Sequence, residues 1–246
     1  MISVPVGFQC PDCINATRRM APRVKSTSDG LWASLPIVTR SIIAVCVIIY
    51  GLSWVADLAQ VNLAFGMSPF DVAMGEWWRL LTATVLHASI MHILFNMYAV
   101  LVLGASLERV LGPARFAAIY FMSAFGGSVA ALWFSDLETI SVGASGAVFG
   151  LMTATIVVGR RMHIDTSQIM FWLLLNVVIG FLAPGIDWRA HLGGALLGAL
   201  TARALTGPVR ASQNPMVRWL TVGLIFAVLV VEILVRNEQI LTYLGL

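Results

Sequence analysis

The stretch Ser141-Val142-Gly143-Ala144-Ser145-Gly146-Ala147-Val148-Phe149-Gly150-Leu151-Met152, which runs on without a charged residue to Gly159 and ends on Arg160-Arg161, decides how this chain is read. As a helix rising about 1.5 Å per residue, it is long enough to cross a bilayer core of about 30 Å. A serine near one end of such a helix is costly in lipid and marks a functional candidate. Working outward, six more apolar stretches join it, for seven expected spans near 36–56, 84–104, 114–134, 140–159, 168–185, 188–206 and 217–236. The residues are 59% hydrophobic and 11% charged, with a mean hydropathy of +0.88, against roughly 25% charged in a soluble domain. The expected fold class is all-α, a polytopic membrane helix bundle of seven transmembrane helices.

Three segments are expected. Residues 1–35 form an amino-terminal segment with a Cys-x-x-Cys, 36–206 a six-helix core, and 207–246 a connection with an additional seventh helix. The first apolar run follows Arg18, Arg19, Arg23, Lys25 and Arg40, so it is an anchor rather than a cleaved signal peptide. The formal net charge of +3 is spread over loops, which argues for topology and against a nucleic-acid partner. Alternate connections hold nearly all the arginines. That pattern predicts a multi-pass protein of the cell membrane with its amino terminus in the cytoplasm and its carboxyl terminus outside.

With that topology, the helices expected to carry His92, Ser145 and His191 all start from the outer side, and the three residues share a depth. A serine hydroxyl attacks only when a base takes its proton, so Ser145 and His191 are expected to form a nucleophile–base dyad. Gly143 and Gly146 flank the serine, and Gly194 and Gly198 follow the histidine at four-residue spacing. Small residues at that spacing let helices approach closely in lipid. His92 and Asn96 lie on one helical face, suited either to an oxyanion or to interhelical hydrogen bonding. His87 is expected to order a loop by hydrogen bonding. Asp136, Glu138 and Asp187 fall in connections, which favours a dyad over a triad. The histidines lack the His-Glu-x-x-His spacing of a zinc hydrolase.

These residues resemble the rhomboid intramembrane serine proteases. The likeness is carried by Glu76-Trp77-Trp78-Arg79, Leu86-His87, Met91-His92-Ile93-Leu94-Phe95-Asn96-Met97, Leu107-Glu108-Arg109-Val110-Leu111-Gly112, Gly143 to Gly150, and Ala190-His191-Leu192-Gly193-Gly194, in family order across 36–206. The resemblance implies a rhomboid-like bundle in which Ser145 attacks the scissile carbonyl and His191 acts as base and then acid. His92, Asn96 and the Ser145 N–H would line an oxyanion hole. Trp78 and Arg79 would belong to a loop lying partly in the outer leaflet, with Glu108 in structural support. It implies substrates that are single-span or other membrane proteins, cut in the bilayer near the outer face, with no cofactor and no metal. The segment after Pro215 resembles the extra helix of six-plus-one members. Cys10 and Cys13 look like half of a four-cysteine zinc ribbon, which needs two more ligands to close a site. The rival readings are a catalytically silent client-binding relative and a small transporter. Against a transporter, the polar residues stop in the outer half of the spans. The residues leave the oligomeric state open.

Overall fold

In the computed structural model, residues 2–4, 7–9, 31–183, 185–207 and 214–246 are described. Residues 1–35 form one unit and 36–246 another. In the first, β1 (Ile2–Val4) pairs antiparallel with β2 (Gly7–Gln9), Ser3 opposite Phe8, and α1 covers Leu31–Ser34. Apart from these two three-residue strands every described element is helical, in keeping with the all-α expectation. Cys10 and Cys13 lie outside the described residues.

The second unit starts with α2 (Ile37–Ala56). Its N-cap is Pro36, whose side chain forms no hydrogen bond to the orphaned N–H groups of the first turn. Glu108, 4% exposed, supplies them from a distant part of the chain. Oε1 accepts from Val38 N–H at 2.9 Å, and Oε2 accepts from Thr39 N–H at 2.8 Å and from the Thr39 hydroxyl at 2.7 Å. The anion also sits at the positive end of the helix. Glu108→Ala is therefore expected to cost about 2–3 kcal/mol, since three charge-assisted bonds are lost from a buried cap. A lowered thermal midpoint in detergent checks this, and Glu108→Gln should recover part of it.

Asp57 caps α3 (Leu58–Phe65), and Ser68 caps α4 (Pro69–Ala73). α5 (Arg79–Thr82) and a 3-10 turn over Ala83–Val85 follow. The second long helix comprises α6 (Ile90–Ala99), a π-helical turn over Val100–Gly104, and α7 (Ala105–Leu111). It therefore begins and ends later than the expected 84–104. Ser89 caps it by accepting from His92 N–H at 3.2 Å. At the other end the helix passes through Glu108, whose charge is satisfied by α2.

α8 (Pro113–Phe134), α9 (Ser145–Arg161) and α11 (Trp188–Thr206) make the most intimate packing, with α10 (Ser167–Leu182) and α12 (Pro215–Leu244) outside them. α9 starts at Ser145 rather than near 140, because Ser141 is extended and exchanges two backbone hydrogen bonds with Met67, at 2.9 and 2.8 Å. Among the described residues, four helices are long and apolar enough by themselves to cross a membrane: Ile37–Ala56, Ile90–Leu111, Pro113–Phe134 and Pro215–Leu244. Ser167–Leu182 is apolar but shorter. α9 and α11 face protein rather than lipid over much of their surface, so their glycine and alanine content needs no lipid-facing hydrophobicity.

α12 is 30 residues long, or about 45 Å at helical rise, and reaches well past a bilayer core. Beyond it, Asn237 Nδ2 donates to the Val72 carbonyl of α4 at 3.4 Å, Arg236 Nε donates to the Leu132 carbonyl at 3.3 Å, and Ile240 is buried.

Candidate active site

Ser145 is the first residue of α9, His92 the third of α6 and His191 the fourth of α11. α9 and α11 run parallel, since Gly194 lies against Gly146 and Gly198 against Gly150. A Cβ on Gly194 would fall onto the Gly146 carbonyl, and one on Gly198 onto the Gly150 backbone. The Ala190 carbonyl faces the Gly146 Cα, where a Cβ would stand 3.1 Å from it. Ser145 and His191 thus lie beside a backbone contact that only glycine permits at position 194 of α11.

Phe149, one turn after Ser145 on the same face of α9, stacks on the His191 ring with centroids 4.2 Å apart and planes at 16°. His191 is 8% exposed. Phe149 is absent from the sequence-derived candidates, although its position four residues after the serine was legible.

Gly143 does something other than helix packing. It precedes α9, has φ of +130°, and donates its N–H to the Ala83 carbonyl at 2.9 Å. A Cβ there would stand 2.6 Å from His92 Nε2 and 3.6 Å from Ser145 Oγ. Both the backbone angle and the space require glycine. His92 and Ser145 therefore meet across Gly143.

Asn96 is buried and donates from Nδ2 to the His92 carbonyl at 2.9 Å, leaving its second amide hydrogen for another acceptor. His87 differs from its expected role as a hydrogen-bond donor. Neither ring nitrogen makes a hydrogen bond of normal geometry, and the ring packs edge-on against His92 at 5.1 Å. Loop order comes from its backbone instead, whose carbonyl accepts from Asn62 Nδ2 at 3.4 Å.

Arg79 ties the first connection together. It is 6% exposed, pairs with Glu76 at 2.6 Å and Asp71 at 3.4 Å, and donates to the carbonyls of Leu63 at 2.7 Å and Gly66 at 2.9 Å. Trp78 is 40% exposed and lies edge-on to the more exposed Trp77. A recess of about 320 Å³, open mouth included, is lined by Ser145, Gly143, Ser141, Thr84 and Ser128 among others. His191 lies beside a separate, smaller hollow with Phe181 and Trp188.

Asp187 is a second residue absent from the candidate set. It caps α11, with Oδ1 accepting from the Arg189 and Ala190 N–H groups at 3.1 Å each, and its charge acts on the His191 ring one turn on. Its place next to a loop hid it, because the helix starts only at Trp188. Among the described residues no group of three or more His, Cys, Asp or Glu side chains is arranged to hold a metal.

The chain matches the family model described as "Rhomboid domain" over residues 74–208, more than half its length. It is 39% identical to Rhomboid protease GluP of Bacillus subtilis (strain 168) over 155 residues, covering 61% of this chain and 30% of that one. It is 38% identical to Putative rhomboid protease YdcA of the same strain over 134 residues (52% and 67%), and 30% identical to Rhomboid protease AarA of Providencia stuartii over 179 residues (60% and 63%). The chain thus spans from 30% to 67% of the length of these curated relatives. His92, Asn96, Ser145 and His191 all fall inside the matched segment, and the chain belongs to the rhomboid family of polytopic helical membrane proteins.

Proposed function

We propose that this chain is an intramembrane serine endopeptidase that cuts membrane-protein helices by a Ser145–His191 dyad. The observation that carries the reading is that Ser145, His92 and the Phe149-stacked His191 each stand at the start of a helix, with Ser145 and His92 both against Gly143. The names of the similar proteins, which are rhomboid proteases, support it.

In the proposed reaction, His191 takes the Ser145 hydroxyl proton as the oxygen bonds to the scissile carbonyl carbon. The carbonyl oxygen becomes an oxyanion, held by His92, Asn96 and the free N–H at the start of α9. As the anion collapses, the C–N bond breaks and His191 gives its proton to the leaving amine. Water then repeats the sequence on the acyl-enzyme, releasing the acid and restoring Ser145. A substrate helix must unwind locally, since a hydrogen-bonded carbonyl cannot enter an extended pose. The proposed segments are an amino-terminal 1–35, a catalytic 36–206 and an accessory 207–246. The cut lies near the outer face, with the amino terminus cytoplasmic and the carboxyl terminus outside.

Cleavage of a single-span substrate by the purified chain in liposomes tests the reading. Product is expected, and folded protein that gives none with a panel of such substrates overturns it. His92→Ala and Asn96→Ala should each lower kcat by about 100- to 1000-fold, as removal of one oxyanion donor does. Unchanged kcat in both would remove them from the oxyanion site.

A further inference from the structure

Two buried polar atoms at the start of α11 have no hydrogen-bond partner: Oδ2 of Asp187 and Nδ1 of His191. One is an acceptor and the other can donate, and buried groups of either kind seldom go unpaired. Asp187 is the N-cap of the helix that carries His191, and the His191 N–H bonds the Asp187 carbonyl at 3.2 Å. The capping bonds to Oδ1 pin the carboxylate and leave its other oxygen unused. Stacking on Phe149 fixes the plane of the imidazole.

The surroundings leave the pair to each other. Nδ1 faces α10, where Gly180 offers no side chain and where even a Cβ would sit 3.5 Å away. Arg189, the nearest cation in sequence, lies over the Trp188 ring at 4.9 Å, and Asp187 forms no ion pair among the described residues. The ionisable groups whose charge acts on the ring are Asp187 and, from α6, His92.

We infer that Asp187 is a positioning residue for His191, its free oxygen taking up the Nδ1–H through one bridging water, since the two atoms stand outside direct hydrogen-bond reach of each other. Held this way, the imidazole keeps Nε2 free to take the serine proton, and the carboxylate stabilises the imidazolium that forms. The inference rests on the dyad reading above and adds to it a third group that the two-residue mechanism leaves out.

Asp187→Asn separates the two roles of this side chain, because asparagine caps a helix about as well as aspartate but carries no charge. With the full chain in liposomes, kcat is expected to fall about tenfold at unchanged KM. Thermal stability should stay at the wild-type level, and Asp187→Glu should restore part of the rate. Wild-type kcat in Asp187→Asn would reduce Asp187 to a cap. A second readout needs no turnover. In Ser145→Ala protein, the Nδ1–H proton of His191 should give a downfield NMR resonance that is lost with Asp187→Asn, and a resonance that persists overturns the inference. Absence of cleavage by the wild-type chain would count against the proposed function, while the NMR result still decides the Asp187 contact.

Discussion

Ser145→Ala is expected to lower the cleavage rate of a single-span substrate by on the order of 10⁴- to 10⁶-fold, and His191→Ala by a similar factor. The two act as one device, since a hydroxyl without a base and a base without a hydroxyl are about equally inert. The double variant should therefore be scarcely slower than either single one. Both side chains stand at helix starts, and neither provides the backbone contact between α9 and α11. Both variants should thus fold and extract as the wild type does. Steady-state cleavage in liposomes, with circular dichroism beside it, measures the effect. Additive losses, or substantial cleavage by either variant, would assign the chemistry to other residues.

Gly194→Ala is expected to produce the largest loss of stability from a single methyl group. The added Cβ would meet the Gly146 carbonyl, a backbone atom on a packed helix that has no rotamer to change. Overpacking usually costs about 1–3 kcal/mol, and here the helices themselves must separate, so about 3 kcal/mol or more is expected. Activity should fall as well, because the contact lies between Ser145 and His191. Gly223→Ala supplies the contrast. No atom lies within 4 Å of a Cβ there, and replacing a mid-helix glycine by alanine commonly stabilises by roughly 0.5–1 kcal/mol. Thermal unfolding of both variants in the same detergent compares them directly. Equal midpoints would mean that the α9–α11 contact is looser than its geometry implies.

The helices were legible because lipid imposes a length and a polarity on any helix that faces it. Ile37–Ala56 and Pro113–Phe134 fall within one residue of the expected limits of their spans. Legibility failed where a tertiary partner changes the meaning of a residue. Glu108 reads as the end of an apolar stretch until α2 is found donating to it, and then the helix passes through. Ile140 to Ala144 are apolar enough to read as helix, but the Ser141 backbone is spent on Met67 and the Gly143 N–H on Ala83. At the site, polarity within the apolar runs marked Ser145, His191, His92 and Asn96. Phe149 gave no such mark, because an aromatic residue in an apolar helix is indistinguishable from core until its neighbour is known. Asp187 was hidden by the reverse error, since a carboxylate beside a loop reads as solvent-facing even when it caps the helix carrying His191.

The carboxyl-terminal end of α12 holds none of the candidate site residues, yet it is clamped to α4, and the segment around α4 is in turn laced to the extended segment before Ser145. Phe70 N–H bonds the Leu137 carbonyl at 3.1 Å, and Met67 and Ser141 bond each other. The last helix therefore acts as a buttress, and a pull on the carboxyl terminus has a short mechanical route to Ser145. A tag, fusion or truncation at that end is a perturbation of the candidate site, and the chain cut free of α12 would be a differently tensioned protein.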